Sequence, residues 1–178
     1  MSGGANPLTD LRLVPFTRAL LPRVQPWFHH PEVDRWLGGP DWPAHGLDQP
    51  PPGPDEWFRG MRVLRVHTWL AVTGDGTPVA QIGGDVFDRW CEGDHTEPGP
   101  AMGFAYVVDP SRWRQGIGRA TLRLMFDAPE LADVIVFAAG IEPENQASTR
   151  CARSAGMHPA TETPDYEGIV YHLFRRPV

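Results

Sequence analysis

Leu11, Val14 and Phe16 form a short β-like run of apolar positions near the start of the chain. Helical spacing follows through Thr17–Leu21 and again from Trp27, with a break at Pro22 and Pro26, where proline removes a helical donor. Gly38-Gly39 ends that pattern. Residues 40–54 hold too many prolines and glycines for regular structure and predict a loop, with a short helix over Glu56–Arg59 beyond it. His67–Val72 and Pro78–Ile82 read as strands joined by a hairpin turn at Gly74-Asp75-Gly76, because glycine tolerates the positive φ that such turns require.

The acidic, glycine-bearing residues 88–100 predict another loop. Met102–Val108 is apolar throughout, as in a central strand covered on both faces, and Asp109-Pro110 closes it. From Ile117 the apolar positions Ala120, Leu124 and Met125 keep helical spacing while Arg119 and Arg123 fall elsewhere, which predicts an amphipathic helix ending at Ala128-Pro129. Asp133–Ala139 reads as a strand and Asn145–Ala155 as a helix, with Asn145 as N-cap and Gly156 just past the end. Residues 158–163 and 168–175 complete the set as two final strands. Seven strands interspersed with helices, without an internal repeat, describe a mixed α+β sheet rather than a repeating βαβ array.

Composition narrows the picture. A chain of 178 residues, 41% hydrophobic, supports one complete core and is short for two, so a single domain over residues 1–178 is expected. The net charge of -6 argues against a nucleic-acid binder and suits a cationic partner such as an amine. All 16 basic residues are arginine, which excludes a Walker-type phosphate loop and points to a GC-rich genome. Cys91 and Cys151, far apart, lack the spacing of a zinc site or a disulfide framework, so a reducing cytoplasm is the expected compartment. Neither cysteine has a histidine beside it in sequence to make a thiolate. No apolar run approaches the ~18 residues of a membrane span, and MSGGANPLTD lacks the basic and apolar parts of a signal peptide.

The chemistry concentrates around Arg114-Gln115-Gly116-Ile117-Gly118-Arg119-Ala120. Glycines directly before a helix let backbone N–H groups converge on one spot, and the helix N-terminus adds partial positive charge, so diphosphate is the natural guest. Arg112, Arg114, Arg119 and Arg123 cluster here within an acidic chain. A dinucleotide fingerprint needs a third glycine where Thr121 stands, and PSRWRQ intervenes between strand and glycines. A tight helix entry with no ligand is the alternative for the glycine pair taken alone.

VVDPSRWRQGIGRATLRLM, a strand, and then EPENQASTRCARSAGM resemble motifs A and B of the GNAT superfamily of acyl-CoA N-acyltransferases, a likeness that covers residues 67–175. The Trp36-Leu37-Gly38-Gly39 segment, the GTPVAQ strand and the CARSAGM helix end resemble bacterial aminoglycoside 6′-N-acetyltransferases, while Trp113 is similar to ribosomal-protein N-acetyltransferases. The resemblance implies a mainly antiparallel GNAT-like sheet of about seven strands flanked by helices and splayed between the fourth and fifth, with residues 101–157 as the cofactor-binding core. It implies that the backbone of Tyr106, Val107 and Val108 binds the pantetheine arm of acetyl-CoA and that Arg114, Gln115, Gly116, Ile117, Gly118, Arg119 and Ala120 hold its pyrophosphate. Asn145 is implied as a further pantetheine contact. Two departures stand out: Ala152 occupies the place of a tyrosine that protonates the leaving thiolate in many relatives, and the fourth strand offers Phe104 and Tyr106 but no carboxylate.

Acylating an amine needs a neutral nucleophile and a route for its proton. Asp85 and Asp88, expected just after the third strand at a pocket mouth, are the candidate catalytic carboxylates; a solvated loop, as for Glu92, Asp94 and Glu97, is the alternative. His29 and His30 are candidate bases by residue type, but adjacent residues on a helix point different ways. Trp27, Trp36, Trp42 and Trp57 can form an aromatic substrate wall or pack helices on the sheet, and Tyr171 belongs to either core or pocket. The expected activity is N-acetylation of a small cationic amine; a protein N-terminal or siderophore acyltransferase and a non-catalytic acyl-CoA sensor remain alternatives. A homodimer is compatible with all of them.

Overall fold

The backbone of the computed structural model is described for residues 10–47 and 50–177. Among these residues eight strands pair in the order β1-β3-β4-β5-β6-β8-β7, with β2 on β3. The strands are β1 (Arg12–Pro15), β2 (Trp57–Phe58), β3 (Met61–Val72), β4 (Pro78–Glu92), β5 (His95–Val108), β6 (Val136–Ile141), β7 (His158–Pro159) and β8 (Val170–Arg175). The helices are α1 (Leu21–Val24), α2 (Pro31–Leu37), α3 (Trp42–His45), α4 (Ile117–Phe126) and α5 (Gln146–Ser154). The residues pack as two compact units, and β3, β4 and β5 each pass through both.

The first unit takes the described residues up to 47, with Thr68–Ile82 and Tyr106–Met125. Here β1 runs antiparallel to the end of β3, from Arg12↔Val72 to Pro15↔Trp69. Phe16, Val24, Trp27, Phe28 and Val33 from the helical segment bury themselves with Leu70, Val72 and Val107, while Ile117 of α4 packs with Ala71, Val79 and Ala80. Val24 and Phe28 are fully enclosed, which explains why a chain broken at Pro22 and Pro26 into short turns still folds: burial, not helix length, holds it.

The second unit takes Pro50–His67, Gly83–Ala105 and the residues from Phe126 onward. β6 lies parallel to β5 only from Ala101↔Val136 to Gly103↔Ala138, although β5 continues to Val108 and β6 to Ile141. On its other edge β6 pairs antiparallel with β8 along its whole length. Met61, Phe87, Trp90, Ala101, Ala138 and Leu173 form the core of this unit, and Phe126 stacks on Phe174 at 4.3 Å. Arg176 closes the carbonyl ends, donating from Nη2 to Phe126 at 2.8 Å and to Leu131 at 3.1 Å.

Several expected elements differ. Residues 88–100 are not a loop: β4 runs on to Glu92, turns through Gly93-Asp94 with Gly93 at φ 57°, and returns as β5 from His95. Ladder bonds involve only the backbone, so a hairpin rich in Asp, Glu, Gly and Pro reads as a loop, although Trp90 is buried and Cys91 packs against the same core. Asp85 and Asp88 therefore lie within β4 rather than after it. Glu56–Arg59 is not a helix, because Arg59 and Gly60 both adopt positive φ (50° and 77°) and form the two-residue turn that joins β2 to β3. The expected second strand starts six residues early at Met61, and α3 forms one helical turn inside the expected loop, where Asp48 and Gln49 lie outside the described residues. The fifth expected strand begins at Val136, and the last two shrink to His158–Pro159 and Val170–Arg175. Asn145 caps α5 and Gly156 follows it at φ 93°, as the sequence predicts.

Candidate active site

In the first unit the segment after β5 is folded by side chains that act on the backbone. Asp109 accepts from the amide of Ser111 at 2.9 Å and from its hydroxyl at 2.8 Å. Trp113 donates its indole N–H to the Val108 carbonyl at 2.9 Å, and the His30 ring meets it edge-on at 4.7 Å. His30 also caps α2, its Nδ1 accepting from the Glu32 amide at 3.3 Å, whereas His29 is exposed. The indole bond folds the chain back at Trp113, so that Arg114 takes up φ 63° and Gly116 φ 80° immediately before α4.

Left-handed residues in a turn at a helix N-terminus are the kind of backbone from which anion-binding nests are made. The first intrahelical bond of α4 is Ala120 N–H to Gly116 O at 3.0 Å, which leaves the amides of Gly116, Ile117, Gly118 and Arg119 without a helical partner. Gln115, Gly116 and Arg119 are exposed, and Ile117 is buried and anchors the turn. Donors, helix dipole and the arginine side chains together fit a diphosphate. Val107 is buried in the core with Phe16 and Phe28, Val108 is half-buried against the cluster that holds Ile117, and Tyr106 is half-buried.

In the second unit the carboxylates divide. Asp88 accepts from Arg89 Nη2 at 2.7 Å and from the Arg62 amide at 3.0 Å, and these bonds lower its proton affinity. Asp85, half-buried, has neither: burial raises its proton affinity and the nearby Glu56 carboxylate raises it further. Among the described residues no cation pairs with Asp85. Two residues on, Phe87 stacks with Phe58 at 5.9 Å, so β2 lies against the strand that carries Asp85. Glu92, raised first by burial and also by Asp165, shares the acidic character of this unit, whereas Glu97 is engaged by Arg175 Nε at 2.9 Å and is lowered.

Asn145 uses its side-chain oxygen to cap α5, accepting from Ser148 N–H at 3.1 Å, which leaves its amide hydrogens for another partner. Ala152 is fully buried. Of the tryptophans, Trp27 sits in the core, Trp42 stacks on Phe28 at 5.5 Å, Trp36 donates to Glu32 at 3.3 Å, and Trp57 is exposed. Arg59 was not foreseen in sequence. It donates from Nη1 to the Tyr171 hydroxyl at 2.7 Å, pairs with Asp165 and Glu167, and lies against the rings of Phe58, Tyr166 and Tyr171. The described residues contain no group of three or more His, Cys, Asp or Glu side chains placed to hold a metal, and no helix long and apolar enough to cross a membrane.

Residues 10–158 match the family model described as an acetyltransferase (GNAT) domain. No curated protein matches in sequence. Among solved structures, the aminoglycoside acetyltransferase AAC(6')-Ib in complex with ribostamycin and coenzyme A aligns over 94% of each chain at 20% identity, with a TM-score of 0.67. The same protein has also been solved with acetyl-CoA. The aminoglycoside N(6')acetyltransferase of Legionella pneumophila aligns over 93% of this chain and 92% of its own at 14% identity, TM-score 0.68. The GNAT domain of S. lividans PAT aligns over 93% and 90% at 16% identity, TM-score 0.61. At these identities the likeness is one of fold.

Proposed function

Because the chain belongs to the GNAT acetyltransferase family, we propose that it is an acetyl-CoA-dependent N-acetyltransferase that acylates a primary amine of a small cationic molecule by direct attack. The observation that carries this reading is the Arg114–Ala120 turn, where two positive φ angles precede a helix whose first amides have no acceptor among the described residues. Acetyl-CoA supplies an activated acetyl thioester. In the proposal the amides of Gly116 to Arg119 bind its diphosphate, with Arg114, Gln115, Ile117 and Ala120 shaping the turn. The backbone of Tyr106, Val107 and Val108, and the free amide hydrogens of Asn145, hold the pantetheine arm.

Asp85 takes the proton of the acceptor. An alkylamine is almost wholly ammonium at neutral pH, and only its neutral form is nucleophilic. A carboxylate that burial has made more basic both attracts the ammonium and accepts its proton at Oδ. Asp88, tied to Arg89 and the Arg62 amide, is reassigned from base to support of the strand. The Glu56 carboxylate that acts on Asp85 favours a cationic acceptor over an anionic one.

Ala152 favours one other reading. Being fully buried, it offers no donor to the leaving thiolate, as expected of an acyl-CoA sensor that does not turn over. Calorimetric titration with acetyl-CoA tests binding, and a thiol-release assay over a panel of aminoglycosides, polyamines, hydroxylamines and peptide N-termini tests turnover. Binding with thiol release on a cationic amine supports the enzyme; tight binding without release on any acceptor supports the sensor. No binding by folded protein overturns both.

A further inference from the structure

Arg59 sits at the tip of the β2–β3 hairpin, in a left-handed conformation (φ 50°) that a non-glycine residue adopts at a cost. What it gains there comes from sequence more than a hundred residues away. Its Nη1 donates to the Tyr171 hydroxyl at 2.7 Å and reaches Asp165 at 3.5 Å, and its Nη2 pairs with Glu167. The guanidinium carbon lies 5.6 Å from the Phe58 ring, 5.7 Å from Tyr166 and 5.6 Å from Tyr171. The receiving segment is itself fixed: Asp165 accepts from the amides of Glu167 at 2.9 Å and Ile169 at 3.0 Å, so its carboxylate is held by its own loop. A planar fork met by two acids, a phenol and three ring faces is far more constrained than an exposed ion pair.

The hairpin so fastened reaches the Asp85 strand through two residues. Glu56 lies beside Asp85, its Oε2 accepting from the Gly53 amide at 3.3 Å, and its carbonyl accepts from the Val63 amide at 2.9 Å. Phe58 stacks on Phe87, two residues along β4 from Asp85. The hairpin's own ladder is only the pairs Trp57↔Arg62 and Phe58↔Met61, too short to hold position unaided.

We propose that Arg59 is a positioning residue for the acceptor site: by clamping the hairpin tip to Asp165, Glu167 and Tyr171 it keeps Phe58 on Phe87 and Glu56 beside Asp85, and so shields Asp85 from water. The inference rests on Asp85 serving as the base. The charged and titratable groups facing this region are Glu56 beside Asp85; Asp165, Glu167, Tyr166 and Tyr171 around Arg59; and Glu92 near Tyr171 and Asp165. Asp88 on β4 is neutralised by Arg89.

The clamp makes a signed prediction. Removing a positive charge alone raises the proton affinity of any nearby carboxylate, whereas admitting water lowers that of a buried one. Carbon-13 titration of the Asp85 carboxyl in native protein, Arg59→Ala, Arg59→Lys and Arg65→Ala reads the sign directly. Arg65 is the control, an arginine paired to Asp133 elsewhere in the same unit. Arg59→Ala is expected to bring the Asp85 titration down toward the ordinary carboxylate range, with Arg59→Lys intermediate and Arg65→Ala unchanged. In steady-state assays the acid limb moves to lower pH in the same order, and kcat/KM for the amine falls by about tenfold to a hundredfold in Arg59→Ala. An Asp85 titration that rises, stays fixed, or shifts equally in Arg65→Ala overturns the clamp. Because the titration needs no turnover, it separates this failure from failure of the base assignment, which is read from Asp85→Asn. Arg59→Lys, which keeps charge and hairpin, serves if Arg59→Ala does not fold.

Discussion

The Arg114–Ala120 turn and the Asp85 face are built in opposite ways. The turn is contiguous and works through main-chain groups: the Trp113 indole bond, two positive φ angles and the open end of α4 assemble it within a few residues. The Asp85 face is discontinuous and made of side chains: Glu56 of the hairpin acts on Asp85, Phe58 stacks on Phe87 of β4, and Arg59 at the hairpin tip is tied to Asp165 and Tyr171 from the end of the chain. A site of amides tolerates changes of side chain but not added charge or lost backbone freedom; a site of side chains fails when one member goes.

The sharpest break comes from Gly118→Asp, which sets a carboxylate among amides arranged for an anion. Loss of acetyl-CoA affinity by more than about a hundredfold is expected in titration calorimetry, with circular dichroism unchanged. Asp85→Asn comes next: kcat/KM falls by about 10² to 10⁴ while acetyl-CoA affinity holds, measured by thiol release. The same variant carries a stability signature. The folded proton affinity of Asp85 lies above its unfolded value, so the native state binds more protons between the two and loses stability as pH rises through that window. Asp85→Asn should therefore melt higher than native protein near neutral pH, a gain that vanishes in acid; a gain that persists in acid would contradict the assigned cause.

Smaller effects mark the supports. Asn145→Ala removes the α5 cap and is expected to cost about 1 kcal/mol in chemical denaturation, with a several-fold loss in acetyl-CoA affinity if the amide hydrogens also serve pantetheine. Asp88→Asn, which breaks a partly exposed pair, should change stability by no more than about 1 kcal/mol and leave the pH profile of turnover in place. Equal effects of Asp85→Asn and Asp88→Asn on that profile would erase the distinction between the two carboxylates.

The same contrast governs what could be read from sequence. The turn was legible because strand, glycines and helix follow one another, and the α5 cap because Asn145 and Gly156 carry their own conformational preferences. The β4–β5 hairpin tip was not, since Asp, Glu, Gly and Pro on a solvated ladder look like a loop until the backbone pairing is seen. Arg59 could be noticed only through Gly60, a turn signal after an aromatic pair; its partners at 165–171 are invisible to any local pattern. Asp85 and Asp88 looked equivalent in sequence, and only burial on one side and Arg89 on the other separate them.

The most direct test of the account is to follow backbone amide resonances of the native chain as acetyl-CoA is added. The amides of Gly116, Ile117, Gly118 and Arg119 should show the largest saturable shifts, reproduced in part by inorganic pyrophosphate competing for the same turn. Saturable binding that leaves those four amides unmoved would contradict the assignment of the diphosphate to this helix end.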